Sequence, residues 1–250
     1  MKASHKKDCN YLSERVVEIL AQRSKGKLLD LGCGNGDSSL HLKGLGFDVT
    51  GADTDVGRFQ YHKDIPFVAC DLAQPLPFPD QSFEYVIFLE VIEHIYNPEM
   101  VIREIARILK PAGQMILSTP NILNIGSRLR FLFEGSFDFF REPSLEYSQK
   151  GVQSLQNIHV IPWRYNELEF LLCRNGFKIE GVHGDQWRKP SLSIVGFIFK
   201  PLLSLQAWIK EGRSRSKGGV DFSRMNQIVL SNELFYSRHL IVEAKKTKLS

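Results

Sequence analysis

Apolar positions recur along the chain at two spacings. Over residues 11–23, Leu12, Val16, Ile19 and Leu20 fall three and four apart, which predicts an amphipathic helix. Lys27–Leu31 is a short apolar run feeding a glycine-rich turn, and Asp37–Leu45 then reads as a helix ended by Gly46. Apolar runs at Phe47–Ala52, Pro66–Cys70 and Glu84–Leu89 predict three more strands, each followed at once by an acid: Asp53, Asp71 and Glu90. Pro98 suits a helix start, Glu99 and Lys110 complement its two ends, and Val101, Ile102, Ile105, Ile108 and Leu109 form its stripe. A turn at Pro111–Gly113 leads to a strand at Gln114–Ser118. A helix near Tyr165–Arg174, a strand at Phe177–Val182 and a closing strand at Arg238–Lys245 complete the pattern.

Strands alternating with helices predict an α/β domain with a doubly wound, mostly parallel sheet. The stretches 120–160 and 184–232 break the regular spacing and read as lid insertions rather than a second domain. The 250 residues, 43% hydrophobic and 24% charged, suit one domain that buries its own core. A net charge of +4 is too small to mark a dedicated nucleic-acid binder. Cys9, Cys33, Cys70 and Cys173 form no C-x-x-C pair, so cysteine spacing signals neither a metal site nor a disulfide framework. Reduced thiols and a polar N-terminus predict a soluble, cytoplasmic protein. Leu192–Ile209 comes nearest to a membrane span, and Lys200-Pro201 is expected to break it.

The chemistry gathers at predicted strand ends. Gly32, Gly34 and Gly36 follow the first strand, where glycine lets backbone approach a ligand closely. A dinucleotide fingerprint needs a further glycine where Asp37 stands, and an acid at that helix start opposes a pyrophosphate. Asp53 ends the second strand, where a carboxylate can accept both ribose hydroxyls, and Asp71 ends the third, where one can accept from an exocyclic amine. Each has a structural alternative: a glycine turn packing helix on strand, or a solvated strand-end carboxylate. Their order on consecutive strands favours a ligand.

At this point the residues resemble a known family. Leu28–Gly36, Thr50–Thr54, Cys70–Val86, Glu90–His94 and Leu109–Gly113 fall in the order and spacing of the class I S-adenosylmethionine-dependent methyltransferases, close to the small-molecule group that includes ubiquinone-biosynthesis O-methyltransferases. Ser118–Asn121 follows, and His159–Gly176 is similar to a later element of that group. Glu84 and Ala112 are small departures. The resemblance implies a seven-stranded Rossmann-like methyltransferase fold with helical lids in a single domain over 1–250. Its cofactor part would run about 11–121, its acceptor part about 122–232 and its closing strand about 233–246.

The resemblance also implies site roles. Gly32, Cys33, Gly34 and Gly36 would pass along the methionine and ribose of S-adenosylmethionine, with Asp30 or Glu90 serving the ammonium. Asp53 with Thr54 would hold the ribose, Asp71 with Leu72 the adenine, and Val91 would line the pocket near the sulfonium. His94 and His159 are candidates for a base, each with a packing role as the alternative; the other histidines show no such context. No [ND]-P-P-[YFW] motif follows the fourth strand, where Leu89–Ile92 stands, and no Pro-Cys nucleophile is present. A small-molecule acceptor bearing a hydroxyl is therefore the expectation, and the aromatic stretch 128–140 and Trp187–Trp208 read either as an apolar cover for it or as ordinary packing of added helices. Nucleic acid is disfavoured, and membrane contact would be at most peripheral, through Lys210, Arg213, Arg215 and Lys217 behind Leu202–Ile209, for which a solvated loop is the plainer reading. A binding module without turnover and, with less support, a nicotinamide oxidoreductase stand as alternatives.

Overall fold

The computed structural model describes residues 2–140, 159–185, 190–216 and 222–247. Seven strands form one sheet: β1 Lys27–Leu31, β2 Asp48–Asp53, β3 Phe67–Ala69, β4 Phe83–Leu89, β5 Leu109–Pro120, β6 Phe177–Gly184 and β7 His239–Lys246. Their order is β3-β2-β1-β4-β5-β7-β6, and β7 runs antiparallel to both neighbours. The winding reverses between β1 and β4, so a crevice opens at the carboxyl ends of those strands.

Alternation along the strands sorts side chains onto two faces. Leu29, Leu31, Val86 and Phe88 meet Val101, Ile102 and Ile105 of α3 (Pro98–Ile108) and Leu168 and Leu172 of α5 (Tyr165–Arg174). Leu28 and Ile87 point the other way, onto Leu12, Val16 and Leu20 of α1 (Lys2–Ala21) and Leu42 of α2 (Asp37–Gly44). The α3 start behaves as its residues predict: Pro98 opens the helix, and Asn97 Oδ1 accepts from the Met100 N–H at 3.3 Å.

The remaining helices are α4 Ile125–Glu134, α6 Pro190–Ser216, α7 Ser223–Val229 and α8 Asn232–Tyr236. Buried Asn121, at the end of β5, donates through Nδ2 to the carbonyls of Leu234 and Ser237, tying this helical layer to the sheet. Ile125, Leu129, Leu203, Phe235 and Tyr236 pack α4, α6 and α8 together.

Several boundaries differ from the sequence expectation. Helix α6 runs through Pro201, because proline removes one N–H and the rest of the helix carries on. It also takes in Gly212–Ser216, expected as part of a loop. Asn232–Tyr236 is helical, so the closing strand begins only at His239. β5 begins at Leu109, and the expected turn becomes an irregularity in the β4–β5 register, with Ala112 at φ 61°. The aromatic stretch 128–140 falls within the described residues, whereas Trp187 lies outside them. Among the described residues, no helix is long and apolar enough to cross a membrane.

Candidate active site

The loop after β1 is fastened to β2. Gly32 N–H and Cys33 N–H both donate to the Ala52 carbonyl, at 2.7 and 3.1 Å. Gly32 adopts φ 78°, in the left-handed region, and a Cβ there would overlap Cγ2 of Val91. Gly34 and Gly36 are left-handed as well, and Gly36 caps α2. Left-handed backbone therefore forms the turn from β1 into α2, packed on Val91 at Gly32 and on Phe59 at Gly36. Cys33 is buried, and burial, with Asp30 and Asp53 nearby, pushes its thiol pKa far up, so it acts as packing.

Asp53 stands at the end of β2 and grips the loop: its Oδ2 accepts from Gly34 N–H at 2.8 Å and its Oδ1 from Asp55 N–H at 3.1 Å. Thr54 Oγ1 donates to the same Oδ1 at 3.4 Å. Asp71, past β3, accepts from Ala73 N–H at 2.9 Å and stays exposed, while Leu72 packs on the core. Asp37, at the start of α2, is pinned by Tyr61 Oη at 2.9 Å and Asn35 Nδ2 at 2.7 Å, which keeps an acid where a pyrophosphate would sit.

Asp30 and Glu90 part company. Asp30 is buried and accepts from Ser39 Oγ at 2.5 Å; burial, against that hydrogen bond, pushes its carboxyl up to about 7. Its hydrogen-bond partner, Ser39, lies on α2. Glu90, at φ 55° just past β4, accepts from Ser118 Oγ through Oε1 at 2.8 Å. Its Oε2 lies 3.5 Å from His239 Nε2. His239 Nδ1 is 2.6 Å from Asp185 Oδ2, and the backbone N–H groups of Arg238 and His239 donate to Asp185 Oδ1 at 3.1 and 2.9 Å. Burial works against a charge on His239, but the two carboxylates outweigh it and raise its pKa.

His239 thus joins Glu90 and Asp185 in one buried network, a placement its sequence context did not suggest. Its signal was its place: it opens the closing strand opposite Pro120, at the carboxyl end of β5. Sequence offered no sign of Asp185, more than fifty residues away.

The two predicted histidines do come together. His94 ends a 3-10 turn over Ile92–His94, and its ring centroid lies 4.7 Å from that of His159. The Glu93 carbonyl makes this happen by accepting from Val160 and Ile161 N–H at 2.8 and 3.1 Å, so the chain returning from the lid docks on the turn. His159 Nδ1 is 2.9 Å from the Phe139 carbonyl; donation there leaves the basic lone pair on Nε2. Glu93 itself is fully buried, with Thr119 Oγ1 donating to Oε2 at 3.1 Å and Oε1 without a hydrogen-bond partner. Burial and nearby Glu90 push its pKa well above the usual carboxylate range. Ligand atoms of Glu93, His94 and His159 all lie within 4.8 Å of one another, a spacing at which these donors could hold a cation.

A strand order that reverses between β1 and β4, left-handed glycines at the reversal and acids at or just past the ends of β2, β3 and β4 mark the ligand edge of a doubly wound domain, with Asp37 at the start of α2 opposing a pyrophosphate. A family model described as a methyltransferase domain matches residues 4–181. The chain belongs to this family, in its class I S-adenosylmethionine-dependent branch. The ubiquinone biosynthesis O-methyltransferase of Pseudomonas entomophila (strain L48) is 33% identical over 181 residues, 64% of this chain and 75% of that protein. The mitochondrial ubiquinone biosynthesis O-methyltransferase of Rattus norvegicus is 30% identical over 169 residues, and the chain spans 46% of its length. An S-adenosylmethionine-dependent methyltransferase from Archaeoglobus fulgidus shares the fold at a TM-score of 0.57 and 16% identity, over 94% of each chain. The acids at 53 and 71 and the anionic start of α2 fit an adenosyl group, which carries hydroxyls and an amine but no phosphate.

Proposed function

We propose that this protein transfers a methyl group from S-adenosylmethionine to a hydroxyl of a small, largely apolar molecule. The observation that carries the reading is the pair of imidazoles, His94 and His159, with His94 N–H donating to the carbonyl of Val91, whose side chain packs on Gly32 of the glycine loop. The curated relatives are named as O-methyltransferases, which supports oxygen as the acceptor atom.

S-adenosylmethionine supplies a methyl on a sulfonium whose departure leaves a neutral thioether. Little remains for the protein beyond placement and one proton. Gly32, Gly34 and Gly36 give the ligand backbone contact, with Val91 packed on Gly32. Asp53 and Thr54 take the ribose edge, Asp71 and Leu72 the adenine edge, and Glu90 the ammonium, steadied by Ser118 and His239. Holding the acceptor in line is worth about 7–11 kcal/mol. His159 Nε2 takes the hydroxyl proton as oxygen bonds to carbon, with His94 at its side, a step worth about 10²–10⁴-fold.

Calorimetry with S-adenosylmethionine, S-adenosylhomocysteine and NADH tests the ligand half. Heat with the adenosyl pair and none with NADH is expected, and Asp53→Ala weakens adenosyl binding at least about tenfold. NADH binding alone would sink the reading. Mass spectrometry on a panel of phenols, catechols, amines and oligonucleotides tests the acceptor. A methyl gained only on amines, or only on nucleic acid, refutes the hydroxyl assignment.

A further inference from the structure

Helix α6 is apolar on the side it turns to water. Its inner side is occupied: Leu203 joins the cluster with Phe235 and Tyr236, Lys200 lies over the Phe235 ring at 5.9 Å, and Glu211 receives Asn226 Nδ2 at 3.5 Å. The opposite side carries Leu202, Leu205, Trp208 and Ile209, which share one face at spacings of three and four. Leu202 is 59% exposed, Leu205 54% and Trp208 72%, with Phe197 a few turns back at 82%. A soluble helix ordinarily turns polar residues outward. Exposed Lys210 and Arg213 follow this face, and Arg215 and Lys217 come next in sequence. Residues 190–217 hold five Lys or Arg against one Glu, a surplus of four that equals the net charge of the whole chain.

We propose that this face docks on the surface of an anionic phospholipid bilayer. The apolar row would lie at the headgroup boundary while the basic residues at its end meet lipid phosphates. Two other occupants fit less well. A membrane span is excluded for α6 by its polarity. A second copy packed through this row alone would cover about 20 Å of helix by about 10 Å, roughly 200 Å² per copy, against the roughly 800 Å² that a stable interface uses. Charge decides for lipid: two copies would bring like-charged ends together in a parallel pairing, whereas an anionic surface complements them.

Vesicle sedimentation tests the proposal without reference to methyl transfer. Wild-type protein should pellet with phosphatidylcholine–phosphatidylglycerol vesicles and not with phosphatidylcholine alone, and added salt should release it. Trp208 fluorescence should shift to the blue on binding, and a Trp208→Phe variant should lose that shift. Lys210→Glu with Arg213→Glu should weaken binding about tenfold or more. Leu205→Gln with Trp208→Gln should weaken it comparably, with an unchanged circular dichroism spectrum and unchanged adenosyl binding. Equal pelleting with neutral vesicles, no pelleting at all, or binding indifferent to both double variants overturns the proposal. So does a concentration-dependent dimer abolished by the apolar double variant with no vesicle binding, which would assign the face to self-association.

Discussion

The two halves of the sheet's carboxyl edge are built on different terms. Around β1, β2 and β4, loops of a few residues hold polar atoms at fixed distances, as where Gly34 N–H meets Asp53 Oδ2 at 2.8 Å and Gly32 N–H meets the Ala52 carbonyl at 2.7 Å. Beyond β5, helices α4 and α6 supply cover, and they leave Phe133 and Phe197 largely in water. The first half specifies backbone angles and donor positions atom by atom. The second supplies apolar area, which many sequences provide. A charged, hydroxyl-rich cofactor imposes the first kind of construction; packing of added helices asks only for the second.

Gly32→Ala strikes the first half hardest. The new methyl meets Val91 at a left-handed backbone that alanine resists, so conformational strain adds to overlap for about 3–4 kcal/mol. Adenosyl binding should fall by more than about a hundredfold, with a lowered melting temperature. Wild-type affinity and melting would mean that the loop is as tolerant as the lid. His159→Gln comes next and acts where the halves meet. It should lower kcat about a hundredfold and leave the Kd for S-adenosylmethionine unmoved, since the ring packs on His94, Phe139 and Phe140. An unchanged kcat would leave His159 a packing residue.

Asp30 sharpens the contrast through pH. Its carboxyl is raised to about 7 in the folded chain, against about 3.9 in an unfolded one. The native state therefore holds the proton more tightly, and stability from this group falls as pH rises from about 4 to about 7 and stays lowered above. Asp30→Asn keeps an acceptor for Ser39 Oγ and removes the charge. It should melt above the wild type at pH 8, by an amount on the order of 2 kcal/mol or about 4–8 °C, and match it near pH 4. A constant difference across that range would remove Asp30 as the source.

The same contrast explains what was legible in the sequence. Strands β1, β2 and β4 and the acids that end them could be read directly, because short apolar runs bounded by glycine or aspartate admit few alternatives. The meeting of His94 with His159 needed the Glu93 carbonyl to accept from Val160 and Ile161, a main-chain contact that no side-chain pattern announces. His239 and Asp185 stand 54 positions apart, and their union depends on β7 turning antiparallel between β5 and β6. The lid helices were obscured by Pro201 and by glycine and serine near 212–216, all of which α6 absorbs once its inner face is packed.

Gly135→Ala, the smallest effect, is the control for Gly32. Gly135 caps α4 at φ 70°, close to the 78° of Gly32, and its N–H donates to the Phe131 carbonyl at 3.0 Å. An added Cβ at Gly135 meets nothing within 4 Å. The substitution therefore isolates the conformational cost of a left-handed alanine, about 1 kcal/mol, or about 2–4 °C in melting temperature, with adenosyl affinity unchanged. Because the two glycines share their backbone angle, any excess at Gly32 measures how closely Val91 and the loop are fitted to each other. Equal losses at both positions would mean that angle alone governs them, and the distinction between a fitted cofactor edge and a loosely specified lid would fall.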